Sequence, residues 1–203
     1  MLMVFLQQAL NGIILGCIYA LIALGLSLIF GILEVANFAH GEFYMLGAFM
    51  ALFSMSGLGV SFFPALLIAM IGMGIIGAII ERAVFRPIVG KPLINSMLLS
   101  FGLSTALANL ALLLFGADPQ KIESGLADYH LRFFGLHLTA ERLMVLVVGV
   151  ALVSLLAWFI QSTRTGKAMR AVSQDRVAAQ LAGINVSRIY TVTFAISGVL
   201  AAA

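Results

Sequence analysis

The stretch LNGIILGCIYALIALGLSLIF occupies residues 10–30 and contains no charged side chain. An apolar run of about 20 residues is long enough to cross the roughly 30 Å hydrocarbon core of a bilayer as an α-helix. Because apolar residues follow one another without alternation, a helix is favoured over a barrel strand. This stretch therefore predicts a membrane-spanning helix.

The composition of the whole chain agrees with a lipid-facing protein. Hydrophobic residues make up 63% and charged residues 9% of the 203 residues, whereas soluble domains carry about 25% charged residues. In lipid, helices and closed barrels are the structures that satisfy their own backbone groups. We therefore predict an all-α, polytopic transmembrane helical bundle and exclude a soluble globular domain.

Further apolar segments predict about five spans and the start of another. The segment 37–53 is short unless its polar residues enter the membrane, so it predicts either a full span or a half-span. A last apolar run begins at Tyr190 and is cut off at Ala203, from which we expect the sequence to be a fragment of a longer protein. The other predicted spans are 10–30, 63–80, 93–115 and 143–160.

Charged residues concentrate in the loops and predict an orientation. Loop 81–92 has three basic residues against Glu81, and loop 161–188 has five against Asp175 alone. The positive-inside rule places both loops in the cytoplasm. The side of the N-terminus then depends on whether 37–53 crosses.

The segment 116–142, between the two basic loops, carries charges of both signs and is expected outside. Within it, residues 129–139 partly alternate around Gly135 and predict a small hairpin.

The first polar cluster is NFAHGE at residues 37–42. Polar groups in a membrane are costly unless they are hydrated or paired. One interpretation places Asn37, His40 and Glu42 at the mouth of a pathway or at a helix break. The other is capping alone, with Asn37 as the N-cap and Glu42 near the positive helix terminus. The sequence leaves both open.

The second cluster is a row of small polar residues in the span 93–115. Ser96, Ser100 and Ser104 recur at every fourth position, and Asn109 lies close by on the helix. Such a face can line a hydrophilic path or serve interhelical packing and hydrogen bonding. Together with Asn37, His40 and Glu42, these residues are candidates for a pathway or gate.

The third cluster predicts a short amphipathic helix in loop 161–188. Ser173 can cap it, Asp175 suits its first turn and Gly183 suits the C′ position. Val177, Leu181 and Ile184 then form one apolar face, which predicts docking on a partner protein or on the lipid surface.

Enzymatic motifs are missing from the sequence. His40 and Glu42 form an H-x-E, but no cysteine pair completes a zinc site, and Cys17 is the single cysteine. No H-E-x-x-H, G-x-S-x-G or phosphate-binding loop is present. We expect no catalytic residues, no metal and no cofactor, with an intramembrane enzyme as a minor alternative.

Three stretches together resemble a known family. They are NGIILG at 11–16, NFAHGE at 37–42 followed by MLGA, and GKAMRA at 166–171 leading to Gly183-Ile184-Asn185. On these stretches the chain resembles the inner-membrane permease subunits of bacterial branched-chain amino acid ABC transporters, the LivH type. The resemblance covers essentially all 203 residues and implies a single permease domain over 1–203, incomplete at its C-terminus.

The resemblance also implies that 175–184 is the coupling helix, which inserts into a groove on an ATPase subunit. Ala178, Ala179 and Gly183 match the EAA-x-x-x-G pattern of ABC permeases, whereas Val177 stands where the pattern has Glu. That departure removes one expected polar contact. The implied coupling residues are Asp175, Ala178, Ala179, Leu181, Gly183 and Ile184.

The implied complex lies in the bacterial inner membrane and imports leucine, isoleucine or valine. Its other parts are a second permease subunit, two ATPase subunits that hydrolyse ATP, and a periplasmic amino-acid-binding protein; no nucleic acid is involved. A same-family permease for urea or amides is an alternative that the residues do not separate. A stand-alone channel or membrane scaffold is the alternative from another class.

Overall fold

The computed structural model describes residues 1–118, 120, 130–133 and 136–203, with side chains except at residues 2, 3 and 130–138. The fold is a bundle of α-helices, as predicted. A π-helical turn (Glu81–Phe85) and a 3-10 turn (Arg86–Ile88) continue the third helix. The helices are α1 (Leu2–Leu33), α2 (His40–Leu58), α3 (Phe62–Ile80), α4 (Leu93–Phe115), α5 (Ala140–Ser162), α6 (Arg164–Gln174), α7 (Arg176–Leu181) and α8 (Val186–Ala201).

Two short strands lie between α4 and α5, where the sequence predicts a hairpin. β1 (His130–Phe133) pairs antiparallel with β2 (Leu136–Thr139). Tyr129 and Gly135, which belong to the predicted hairpin, lie outside the described residues, as do several charged residues of the mixed segment.

Four helices are long and apolar enough to cross a membrane: Val4–Leu33, Phe62–Ile88, Leu93–Phe115 and Ala140–Ser162. They correspond to four of the predicted spans. The shorter apolar helix Val186–Ala201 is the predicted start of another. The segment 37–53 differs from these, because it combines a non-helical stretch with the 19-residue helix α2.

Helix α8 lies at the centre of the bundle, against α1 and α3. Glycines permit its close approach to α3, since a Cβ added to Gly77 would lie 2.6 Å from the carbonyl oxygen of Phe194. The contacts of Gly77 with Phe194 and of Gly74 with Val199 show that α3 and α8 run antiparallel. The main hydrophobic core surrounds them and includes Phe43, Phe85 and Phe194, all fully buried.

The two basic loops meet at one end of the bundle, which we call the basic end. Arg86 Nη2 donates to the carbonyl oxygen of Ser187 at 3.1 Å. A Cβ on Gly90 would lie 3.4 Å from the guanidinium of Arg176. Loops 81–92 and 161–188 therefore lie on the same side, as their charge pattern predicts.

Helix α1 ends at the basic end, and the chain then turns back into the bundle. Leu33 and Glu34 line a cavity of about 240 Å³ together with Asp175 and Arg176. Glu34 adopts a left-handed conformation, with φ 56°, and ends the helix. The next residues lead to α2; we call residues 34–39 the re-entrant link.

Contacts with α4 give the depth at which α2 begins. Phe38 stacks on Phe101, with ring centroids 4.6 Å apart, and Phe53 contacts Phe115. The two helices therefore run parallel. At 1.5 Å per residue, Phe101 lies about 12 Å beyond the start of α4, so α2 begins well inside the bundle and reaches the far end. Segment 37–53 therefore begins inside the bundle, and residues 34–36 of the link complete the return of the chain from the basic end to the far end. The N-terminus of α1 lies opposite the basic end.

Candidate functional site

The re-entrant link is non-helical backbone that leads from the basic end into the bundle, with Val35, Asn37 and Ala39 buried. In lipid each backbone N–H needs a partner, because no water is available. The N–H of Ala36 donates to Ser96 Oγ at 3.2 Å, and the N–H of Ala39 donates to Asn37 Oδ1 at 3.2 Å. Side chains of Asn37 and Ser96 therefore make this backbone conformation tolerable.

The capping interpretation of Asn37 is wrong. The N-cap of α2 is Ala39, and no side chain caps the helix. Asn37 lies two residues earlier, where its carbonyl oxygen closes a turn on Ala39. Its amide nitrogen is buried and has no hydrogen-bond partner among the described residues.

His40 lies on the side of α2 that faces α1 and α8. A Cβ on Gly25 would lie 2.7 Å from His40 Nε2, so the imidazole occupies the space that this glycine leaves. Ser197 Oγ donates to the carbonyl oxygen of Gly25 at 2.9 Å and lies 3.5 Å from His40 Nδ1. These three residues form a buried contact between α1, α2 and α8, which we call the glycine–histidine contact.

Glu42 faces α4. As predicted, it lies in the first turn of α2. Its carboxylate does not cap α2 but points towards α4, where it accepts a hydrogen bond from Ser104 Oγ at 2.9 Å. At 1.5 Å per residue Ser104 lies about 16 Å along α4, near the middle of a 30 Å hydrocarbon core. Glu42 is partly buried.

Two serines of the row on α4 face the re-entrant link and α2. Ser96 binds the link and Ser104 binds Glu42. Ser100 is fully buried and donates to the carbonyl oxygen of Met97 in its own helix. Asn109 is exposed and donates to Thr105 O, so the structure does not bring it to the other residues.

An apolar cavity of about 460 Å³ lies between α1 and the re-entrant link. Leu26 and Phe30 of α1 form one wall, and Asn37 and Phe38 of the link form the other. Its size is within the range of small-molecule pockets.

Helix α7 is the short helix predicted in loop 161–188, with a different cap and an earlier end. The cap is Asp175, whose carboxylate accepts from the N–H groups of Val177 and Ala178 at 2.8 and 2.9 Å. Ser173 instead donates to Arg170 O. A helical cap needs an extended residue just before the first turn, and Asp175 has that conformation.

The helix ends at Leu181, not at 184. Gly183 has φ 84°, and the N–H of Ile184 donates to Ala179 O at 3.0 Å. These two features define a Schellman motif, and they confirm Gly183 at the C′ position.

The predicted apolar face of this helix is divided. Val177 and Leu181 are 62% and 86% exposed. Ile184 packs against the main hydrophobic core, and Ala179 is buried beneath the helix. Two apolar side chains at the basic end are therefore left without a partner in the described part of this chain.

A buried ion pair at the basic end was not predicted from sequence. Glu81 is fully buried. Arg86 donates to both of its carboxylate oxygens, at 3.0 and 2.7 Å, and the hydroxyl of Thr191 donates to Oε2 at 2.9 Å. We call these three residues the basic-end lock; it joins the end of α3 to α8, just beyond α7. Thr191 and Glu81 are 110 residues apart in the sequence, so no local pattern predicts that they meet.

Comparison with known proteins gives consistent matches. The family described as branched-chain amino acid transport system / permease component matches residues 8–203. The high-affinity branched-chain amino acid transport system permease protein LivH of Escherichia coli (strain K12) is 33% identical, over 98% of this chain and 68% of the relative. The corresponding permease protein BraD of Pseudomonas aeruginosa is 32% identical over the same shares. No solved structure matches significantly.

Proposed function

The chain belongs to the family of branched-chain amino acid transport permease components, and from this premise we propose how it works as a powered permease subunit. It carries branched-chain amino acids across the membrane as one wall of a pathway whose other wall is a second permease subunit. Separate ATPase subunits supply the energy, and a binding protein delivers the substrate. The complex lies in the bacterial inner membrane.

The observation that carries the proposal is α7. A six-residue helix is too short to persist alone, yet this one is capped at both ends and held against the core through Ala179 and Ile184. Its fixed geometry presents Val177 and Leu181 outward. Fixing two exposed apolar side chains is useful where a partner surface receives them, and an ATPase groove is such a surface.

Helix α8 supports the idea that motion of α7 reaches the membrane interior. Asn185 caps α8 immediately after α7, accepting from the N–H of Arg188 at 3.0 Å. One turn later Thr191 joins the basic-end lock, and further along Ser197 joins the glycine–histidine contact at the start of α2. A displacement of α7 is therefore transmitted through one rigid helix to the residues that surround the re-entrant link.

The test compares two leucines with similar exposure. Leu181→Ala removes an outward side chain of α7, and Leu113→Ala removes one on α4 that is 83% exposed. We expect Leu181→Ala to reduce co-purification of the ATPase subunits and leucine uptake, with membrane insertion unchanged. Leu113→Ala should leave all three unchanged. Equal behaviour of the two variants would contradict docking through α7.

Two measurements separate the proposal from its alternatives. Leucine uptake into vesicles that is competed by isoleucine and valine, but not by urea, distinguishes this permease from an amide permease. Uptake that stops when ATP is withheld distinguishes it from a stand-alone channel.

A further inference from the structure

Glu42 and Glu81 both lie among the membrane helices, and of these two only Glu81 is paired with a cation in the described part of the chain. Glu81 is paired with Arg86, which is the one ion pair among the described residues. The described partner of Glu42 is the hydroxyl of Ser104 alone. No Lys or Arg precedes Arg82 in the sequence, and α4 contains none, so α1, α2, α3 and α4 supply no counter-charge. Helix α8 also packs against α2, but its one cation, Arg188, lies in its first turn at the basic end.

The depth of Glu42 in the membrane explains why the missing cation is significant. A carboxylate near the middle of the bilayer is costly in contact with lipid, and such groups face a bundle interior or a water-filled cavity. Glu42 is only partly buried by this chain. The surface that completes its surroundings is therefore polar, and the interface with the second permease subunit is where a polar path would run.

We propose that the Glu42 carboxylate is the subsite that binds the ammonium group of the amino acid substrate during its passage. This inference rests on the proposed function, which supplies a zwitterionic substrate. An ammonium ion provides the positive charge that the protein lacks at this depth, and it donates the strong, charge-assisted hydrogen bonds that a carboxylate accepts. Ser104 holds one carboxylate oxygen in place and leaves Oε2 available.

The neighbouring link supplies a complementary feature. Asn37 is 2% exposed, and its amide nitrogen is a donor without a partner among the described residues. It lines the apolar cavity together with Leu26 and Phe30. Glu42 does not line this cavity: its carboxylate faces α4, whereas the cavity lies against α1. The link therefore offers a buried amide donor and apolar walls close in sequence to the carboxylate, and a zwitterion with an aliphatic side chain has groups complementary to each.

Chemical labelling tests the subsite directly. N,N′-dicyclohexylcarbodiimide is an apolar reagent that modifies carboxyl groups in apolar surroundings, and we expect it to label Glu42 in membrane vesicles that contain the assembled transporter. Peptide mass spectrometry measures the label, and Glu42→Gln identifies the background. We expect leucine to protect Glu42, and 4-methylpentanoate, which is leucine without its amino group, to give no protection.

The labelling is repeated without nucleotide and with a non-hydrolysable ATP analogue, so that both orientations of the pathway are sampled. Equal protection by the two compounds, or no protection by leucine in either condition, would overturn the subsite. Leucine uptake by the same unlabelled vesicles reports the proposed function separately. If uptake is present and protection is absent, only the subsite is wrong.

Substitution separates the charge from the hydrogen bond. Glu42→Gln can still accept from Ser104 but has no charge, and we expect leucine uptake to fall about tenfold or more, as for a buried charge pair that loses one partner. Glu42→Asp should recover part of the uptake. Ser104→Ala keeps the charge and should lower uptake less than Glu42→Gln does, because the carboxylate remains available to the ammonium group.

A purely structural role predicts the reverse. In that case Ser104→Ala and Glu42→Gln would lower the level of assembled complex, with little change in uptake per complex. We expect the amount of assembled complex in the membrane to be unchanged in both variants, so that the lower uptake is a loss per complex.

Discussion

The basic-end lock and the surroundings of Glu42 are two solutions to the same problem. Each contains a glutamate and a hydroxyl group among membrane helices. At the basic end Glu81 is fully buried and receives three hydrogen bonds, from Arg86 and Thr191. Near the membrane centre Glu42 receives one, from Ser104. The carboxylate at the basic end is therefore fully paired within the described residues, whereas the carboxylate near the membrane centre has no cation among them.

One helix connects the two regions. Thr191 and Ser197 of α8 are six residues apart, about 9 Å along the helix axis. Thr191 belongs to the lock, and Ser197 contacts Gly25 and His40, which hold the start of α2. The lock joins α8 to the end of α3, so a displacement at the basic end would be carried along α8 to the start of α2. The predictions below disturb one region at a time, in order of decreasing effect.

The largest effect is expected from Arg86→Ala, which leaves the buried Glu81 carboxylate without its cation. Removing one partner of a buried ion pair costs about 3–5 kcal/mol, and the partial exposure of Arg86 favours the lower figure. Thermal unfolding of the solubilised complex measures the loss. Arg82→Ala is the matched control, because Arg82 is exposed and lies in the same turn.

A double variant tests whether the lock acts through its charge. Replacing both Glu81 and Arg86 by Met removes the ion pair without leaving a single buried charge, and we expect it to regain most of the stability that Arg86→Ala loses. If the double variant is as unstable as the single one, packing and not charge explains the lock.

The next effect concerns the glycine–histidine contact. Gly25→Ala places a methyl group 2.7 Å from His40 Nε2 and 3.1 Å from Ser197 Oγ. Overpacking of this kind costs about 1–3 kcal/mol. Gly12→Ala, in the same helix with nothing within 4 Å of the added Cβ, should be neutral or slightly stabilising. The thermal midpoints of the two variants give the comparison.

A second substitution distinguishes a local collision from a general effect on α1. His40→Ala removes the ring, and combining it with Gly25→Ala should give less destabilisation than the sum of the two single variants. Strict additivity would contradict contact between Gly25 and His40.

The sequence predicted the helical membrane architecture, because long apolar runs without charge have few other stable forms in lipid. It also predicted Gly183 at the C′ position, since a left-handed residue there favours glycine. Both features depend on residues that are close together in the sequence. The lock does not have a local pattern, because Thr191 meets Glu81 only after α3 and α8 have packed together.

The errors at Asn37 and Ser173 concern local hydrogen bonds. Both residues are good N-caps by type, but no side chain caps α2, and the cap of α7 is Asp175. The side chain of Asn37 instead accepts a hydrogen bond from the N–H of Ala39 within a turn. This bond supplies a partner for a backbone N–H that is buried in the bundle. Asp175 has a carboxylate that reaches two N–H groups, whereas Ser173 bonds back to Arg170 O.

A smaller effect is expected when the re-entrant link loses its partner on α4. Ser96→Ala leaves the partly buried N–H of Ala36 without an acceptor, and we expect a cost of about 1 kcal/mol, the lower end of the range for an unsatisfied donor. Ser100→Ala is the control, because this buried hydroxyl bonds only to its own helix. A lower thermal midpoint for Ser96→Ala alone, with leucine uptake reduced, would show that the link depends on Ser96.

The smallest effect on stability is expected at α7. Asp175→Ala removes the side chain that accepts from Val177 N and Ala178 N, and loss of an N-cap costs about 1 kcal/mol. The whole chain should unfold at nearly the same temperature, because α7 lies outside the membrane bundle. Uptake should nevertheless fall markedly, since a frayed α7 no longer presents Val177 and Leu181 together. Ser173→Ala, which removes no cap, should change neither property. Asp175→Asn, which retains one acceptor oxygen, should restore uptake if capping, and not charge, is what α7 requires.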